Sequence, residues 1–447
     1  MVLLVWSVAL WGQPPPPQLA PKELTVEAIF AEGGLTGRPP ETFKWSLDGA
    51  RLSYLQRDDA GERGELWYVD ADTGKAALLV SREKLAGLAP PARQLKDDRE
   101  RRSRYSVASY HWAPDSQHLL FDSGGQLWYF SLQTGTAVQV TSSPEPSGDP
   151  KFSPDGRSFA YVRKHNLCVR RLDKDRERQL TRDQDAAVLN GEVDWVYAEE
   201  LDVRSNYFWS PDGSQIAFLQ MNETPVPSYP ITDFLPTHPT VDFQKYPKAG
   251  DPNPAVRLGV VDTSAGKSLK WITLPPQQRE PDETGARPRE AQDLYLPRFG
   301  WVREGLLWVQ ALNRAQDRLD LYFVDIASGR SQLMLSEKSD AWVEVSDNFR
   351  ILKSGGRFLW SSWRDGHTHL YLYRFQEGSP GATLEKQLTR GDFETFGIQA
   401  VDEDAGVVYF IANQGDARER HLYSVKLDGS DFRRLSREPG KIGRAHV

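Results

Sequence analysis

The chain has 447 residues, a formal net charge of −7, 11% aromatic residues, 14 Trp and one Cys. That length allows two ordinary domains or one large repeat fold, and the aromatic share suits strands. The acidic balance argues against a nucleic-acid partner, and a lone thiol excludes an internal disulfide.

Met1 to Gly12 are nearly all apolar. The run is too short to cross a membrane and fits the apolar core of a secretory signal, although the usual basic start is missing. Pro14 to Pro17 break any helix. Residues 1–19 therefore read as a signal-like segment and Pro-rich linker, which predicts a periplasmic or extracellular protein.

From Glu41 a pattern recurs. It runs aromatic, Ser or Ala, a turn around Asp-Gly, an apolar strand, then a second strand carrying Tyr or Trp. Trp45-Ser46-Leu47-Asp48-Gly49, Trp112-Ala113-Pro114-Asp115, Phe152-Ser153-Pro154-Asp155-Gly156 and Trp209-Ser210-Pro211-Asp212-Gly213 open four copies. Looser copies follow at Phe299 to Asp325, Leu352 to Tyr373 and Val401 to Val425. In Pro-Asp-Gly, Pro presets φ and Gly accepts the positive φ of the turn. Strand groups repeating at about 40 to 60 residues read as propeller blades, each a small antiparallel sheet that buries its faces against its neighbours. The predicted fold class is all-β, a β-propeller over residues 41–440. No Trp-Asp dipeptide occurs, so the repeat is not of the WD40 type.

Arg93 to Arg104 is a dense run of mixed charge. It reads either as a solvated helix or as a segment that turns Arg101, Arg102 or Arg104 into the central cavity. Gln277 to Gln292 is polar, with Pro and Gly, and reads as an exposed loop. Cys168 sits in a strand-like run with nothing nearby to lower its pKa, so it reads as a buried structural thiol. His367 and His369 alternate along what reads as one strand, but no further ligands accompany them, so no metal site is assigned.

The stretch of most chemical interest is Asn190-Gly191-Glu192-Val193-Asp194-Trp195-Val196-Tyr197-Ala198-Glu199-Glu200. Adjacent carboxylates disfavour each other's ionisation unless a cation or donors lie between them. Glu199 and Glu200 are therefore either ordinary surface acids or the grip for an ammonium group.

Asp194 to Glu200 resembles the double-glutamate motif of the dipeptidyl peptidase IV family, the exopeptidase branch of the prolyl oligopeptidase clan, in its bacterial type. Tyr246-Pro247-Lys248-Ala249-Gly250 with Asn253-Pro254 resembles a second motif of that family. Leu312-Asn313-Arg314-Ala315-Gln316 with Leu319-Asp320-Leu321 is similar to a third, and Glu419-Arg420-His421-Leu422-Tyr423 to a fourth. The likeness runs from about Leu24 to Gly440.

The resemblance implies an eight-bladed propeller whose last blade is incomplete here, followed in relatives by an α/β-hydrolase domain. Residues 20–40 would pack on that domain. Glu199 and Glu200 would bind the substrate's free N-terminus, supported by Asp194, Trp195 and Tyr197, and a propeller arginine would hold the substrate backbone. The parent would be a secreted serine-type dipeptidyl aminopeptidase that removes Xaa-Pro or Xaa-Ala dipeptides, with no cofactor. Its partners would be peptides with a free N-terminus, the missing hydrolase domain and a second copy of itself.

No Gly-x-Ser-x-Gly elbow occurs, so no catalytic residue is assigned in this chain. The likeness ends at Gly440, and Lys441 to Val447 match the translation of a sequencing adapter. The expectation is a truncated fragment, inactive as written, with residues 441–447 an artefact. A genuine divergent C-terminus is the other reading of that tail. The rival functional class is a non-catalytic propeller that binds a protein or peptide.

Overall fold

The computed structural model describes residues 24–31, 38–57, 64–88, 110–123, 125–174, 176–264, 268–275 and 294–442. Residues 1–23, the charge run with Arg101, Arg102 and Arg104, the segment Gln277 to Gln292 and the tail from Gly443 lie outside them.

Seven antiparallel sheets follow one another, over residues 41–80, 110–139, 148–179, 188–272, 294–338, 350–387 and 395–434. Six have four strands, each paired with the next in sequence, and the fourth sheet has five. This all-β propeller carries seven blades among the described residues. The last blade is not short of strands: its fourth strand, Arg433–Arg434, pairs with His421–Lys426. The expectation of missing strands in that sheet failed because repeats announce the aromatic and the turn of a blade, and the brief fourth strand carries neither.

The repeated turn is built as its residues dictate. Ser153 Oγ donates to Asp155 Oδ1 at 2.6 Å, and that same oxygen accepts from Arg157 N at 3.0 Å. Gly156 closes the turn at φ 69°, donating to Ser153 O at 2.9 Å. Ser210, Asp212 and Gly213 repeat the arrangement. Gly is needed because an L side chain strains at that φ.

Where the repeated aromatic is Trp, it locks three of the sheets to the one before. Trp112 Nε1 donates to Ser53 Oγ at 2.8 Å, Trp209 Nε1 to Lys151 O at 3.1 Å and Trp301 Nε1 to Phe208 O at 3.0 Å. Apolar layers fill the space between sheets. Leu66 and Val80 pack with Tyr110 and Leu119, and Leu120 and Leu127 with Phe159 and Tyr161. Leu167 packs with Tyr207 and Ile216, and Leu359 and Leu370 with Val408 and Phe410. A larger layer joins the fourth, fifth and sixth sheets through residues such as Leu258, Phe323 and Phe358. Each such side chain contributes about 1.5–3 kcal/mol when fully buried, so these layers outweigh the exposed ion pairs. Among the described residues no such layer joins the last sheet to the first.

Two departures from the repeat matter for the site. Between the paired strands Gln215–Asn222 and Ala255–Asp262 the chain extrudes a separate hairpin, Ser228–Asp233 with Thr240–Lys245. The hairpin is almost wholly exposed, with Phe234 at 78%, Leu235 at 96% and Phe243 at 74% exposure. At the N-terminus a short helix, Val26–Phe30, begins at Thr25, whose side chain accepts from Ala28 N at 3.1 Å, and buries none of its residues.

Candidate functional site

The helix Trp195–Glu199 interrupts the fourth sheet, and its sequence explains its position. Asp194 caps it, accepting from Val196 N at 3.2 Å and Tyr197 N at 3.0 Å. Val196, Tyr197 and Ala198 are buried. The Tyr197 hydroxyl accepts from Leu296 N at 2.8 Å, which ties the helix to the fifth sheet. Arg204 donates to Ala198 O at 2.8 Å, and Arg298 to Leu201 O at 2.9 Å, so cations satisfy carbonyls at the helix end. Upstream, Gly191 turns at φ 70°, and a Cβ there would meet Leu167 Cδ2 at 2.8 Å.

This scaffold leaves Glu199 and Glu200 exposed at the end of the helix. Neither carboxylate accepts a hydrogen bond from another described residue. The helix ends on them, and its carbonyl end adds negative potential to theirs. The two are not equivalent. Glu200 lines an open cleft of about 770 Å³, whereas Glu199 stands beside it on the exposed surface.

Three separate motifs converge on that cleft. Trp195 and Val196 come from the helix, Tyr246 to Ala249 and Asn253 from the segment after the hairpin, and Arg314 and Gln316 from a turn of the fifth sheet. Trp195 packs on Tyr246 with ring centroids 4.3 Å apart, and Tyr246 on Tyr229 of the hairpin at 5.6 Å. Lys248 Nζ lies 4.8 Å from the Tyr229 ring centre. Asn253 Nδ2 donates to the Tyr295 hydroxyl at 2.7 Å, and Arg314 to Asp251 O at 2.6 Å. The cleft thus offers a carboxylate among aromatic faces, the chemistry that holds an ammonium group.

Asp194 and Tyr197 support this wall without lining it. Sequence reading missed the hairpin's share: Tyr229, Ile231 and Gln244 line the cleft, and the alternating Tyr229 and Ile231 were the available signal. The motif at Glu419 to Tyr423 lies elsewhere. There His421 is buried, between Glu419 Oε2 at 2.8 Å and Ser436 Oγ at 3.1 Å.

Cys168 is buried, and burial pushes its thiol up to about 12. His369 bonds Thr389 Oγ1 and Gly391 O through its two ring nitrogens, each at 3.0 Å. His367 precedes the strand His369–Arg374 rather than sharing it, and contacts Glu394 at 2.7 Å. No group of three or more potential metal ligands occurs among the described residues.

The succession of four-stranded antiparallel sheets defines the class as a β-propeller, here with an aromatic-walled cleft on its fourth and fifth sheets. The family described as the dipeptidyl peptidase IV (DPP IV) N-terminal region matches residues 113–443, and the chain belongs to that family. Among similar proteins, probable dipeptidyl-aminopeptidase B of Emericella nidulans is 33% identical over 337 residues, which is 69% of this chain and 35% of that protein. Dipeptidyl-aminopeptidase B of Aspergillus niger is 32% identical over 340 residues, covering 70% of this chain and 36% of that one. The chain thus spans about a third of the length of these relatives. The crystal structure of Porphyromonas gingivalis dipeptidyl peptidase 4 superposes with a TM-score of 0.75 at 24% identity, over 95% of this chain and 57% of that one, and agrees in fold.

Proposed function

We propose that this propeller gates and recognises peptide substrates by their free N-terminus on behalf of a serine-type dipeptidyl aminopeptidase that releases Xaa-Pro and Xaa-Ala dipeptides. The observation that carries this reading is the convergence of three sequence motifs on the Glu200 cleft. An N-terminal ammonium carries one charge and up to three donors, and Glu199 and Glu200 together can meet them. Holding the terminus sets how far the chain reaches, so the contribution to catalysis is orientation. The chemistry belongs to an α/β-hydrolase domain outside this sequence, and this chain alone is proposed to be inactive.

The same reading covers the rest of the architecture. Trp45 stands where Trp112, Trp209 and Trp301 reach back to a preceding sheet, yet no described residue accepts from its indole. That supports an eighth blade between the last sheet and the first. The exposed apolar residues of the helix Val26–Phe30 suit packing on the hydrolase domain, and those of the hairpin suit contact with a second copy. The proposed location is periplasmic or extracellular, from the apolar N-terminal run.

The test joins the propeller to its hydrolase domain and measures kcat/KM on free and N-acetylated Ala-Pro amides. Strong preference for the free amine is expected, and equal turnover of the two would refute the reading.

A further inference from the structure

Among the described residues two Trp are exposed, Trp342 at 51% and Trp363 at 62%. Both line one further cleft, of about 370 Å³, on the fifth and sixth sheets. Trp342 lies on the segment that joins Ser331–Lys338 to Arg350–Ile351, and Trp363 on the turn between Arg357–Ser362 and His369–Arg374. An indole left in water forgoes the burial that holds its counterparts in the core, so two of them on one cleft point to a ligand.

The segments that carry them are fixed. Ser339 Oγ accepts from Ala341 N and Trp342 N, each at 3.2 Å, and Trp342 Nε1 donates to Glu344 Oε2 at 3.0 Å. Gly366 N closes the other turn on Trp363 O at 3.1 Å. Leu319, Phe349 and Trp360 line the cleft from buried positions.

The strongest charges of the cleft are paired with each other. Glu337 accepts from Trp360 Nε1 at 3.1 Å, from Ser362 Oγ at 2.9 Å and from Arg364. Arg364 also donates to Ser362 Oγ at 2.8 Å and to the Tyr373 hydroxyl at 2.7 Å, and lies 4.6 Å from the Tyr371 ring centre. A cationic ligand would compete with this resident guanidinium, and an anion would meet the resident carboxylate.

What remains for a ligand is two indole faces and a set of small polar groups. The hydroxyls of Ser346 and Ser361 lie 2.7 Å apart and share one hydrogen, so the second hydrogen is left to donate. Ser339 Oγ accepts twice and keeps its own hydrogen. Glu344 commits one oxygen to Trp342 and keeps the other. Lys338 and Asp340, both exposed, add a donor and an acceptor of opposite charge. Apolar faces bordered by hydroxyl partners match a pyranose ring, whose C–H faces stack on indoles while its hydroxyls bond at the edge.

We propose that this cleft binds a neutral pyranose, a hexose unit of an oligosaccharide, stacked on Trp342 and Trp363. Its volume falls within the range of small-molecule sites, about 300–1,000 Å³. It shares no lining residue with the Glu200 cleft yet adjoins it: Val343 N, on this cleft, donates at 2.8 Å to the carbonyl of Gln316, on the other.

Calorimetric titration of the chain with cellopentaose, maltopentaose and N-acetylchitopentaose tests the proposal. Pentaproline, acetylated and amidated, is the comparison arm, because proline rings also stack on indoles. Saturable one-site binding of at least one sugar is expected, with a Kd on the order of millimolar or tighter. Trp342→Ala and Trp363→Ala should each weaken it at least about fivefold, the loss of one stacked face. Both replace exposed side chains, so the variants should keep the circular dichroism of wild type. Glu200→Gln should bind the sugar as wild type does, which separates the two clefts. The proposal is overturned if no sugar binds saturably or if pentaproline binds more tightly than every sugar. It is overturned equally if both Trp variants bind as wild type does, or if Glu200→Gln abolishes sugar binding.

Discussion

Trp195 and Tyr246 place their ring centroids 4.3 Å apart, and this contact fastens the acidic helix to the segment that follows the hairpin. Paired rings contribute about 0.5–1.5 kcal/mol beyond the area they bury. Trp195→Ala should therefore lower stability in urea by at least that amount and loosen the cleft wall beside Glu200. Trp195→Phe should retain most of both. Unchanged urea midpoints for Trp195→Ala would show that the contact holds nothing in place.

Asp194 acts one step deeper, through the helix itself. Its carboxylate satisfies two N–H groups that the helix cannot satisfy internally. Asp194→Ala should cost about 1–2 kcal/mol in chemical denaturation, and Asp194→Asn clearly less. Equal losses for the two variants would mean that negative charge, not capping geometry, matters there.

Lys44 gives a pH signature. Its folded pKa of about 8 lies below the ordinary lysine value of about 10.4. Between those values the unfolded chain holds more protons than the folded one, so stability should rise with pH across that window. Below about pH 8 both states are charged and the full cost of the enclosed ammonium is present. His111, Tyr110, Asp149 and Lys151 are the titratable groups around it. Comparing wild type with Lys44→Met isolates the lysine: the rise between about pH 8 and about pH 10 should be absent from the variant. Parallel pH profiles for the two proteins would contradict the assignment.

The buried Cys168 thiol, pushed up to about 12, should be inert to a thiol reagent at neutral pH in the folded protein and react at once in denaturant. Rapid stoichiometric labelling under native conditions would contradict its placement in the layer between the second and third sheets.

Much of the architecture was written locally. Ser153, Asp155 and Gly156 specify their turn within four residues, and Trp112, Trp209 and Trp301 mark where sheets lock together. Features that depend on distant segments were not legible. The hairpin Ser228–Asp233 with Thr240–Lys245 stands outside the repeat, and the alternation of Tyr229 and Ile231 marks a strand without saying that it meets the cleft. The difference between Glu199 and Glu200 follows from where one short helix stops, which adjacent identical residues cannot announce. His367 and His369 read as strand partners because alternation was counted before the strand's true start at His369. Lys44, His111 and Lys151 belong to three different repeats and meet only when the sheets are arranged in order.

The central claim is that Glu199 and Glu200 recognise a free N-terminus. The most direct measurement is calorimetric binding of this chain to Ala-Pro-Ala with a free amino group and to its N-acetylated form, for wild type and for Glu199→Gln, Glu200→Gln and the double variant. Losing a hydrogen bond to a charged group costs about 1.5–3 kcal/mol, so Glu200→Gln should weaken the free peptide at least about tenfold. The double variant should weaken it further, and the acetylated peptide should bind poorly to all four proteins. Binding of the free peptide that is indifferent to both substitutions, or to acetylation, would contradict the account.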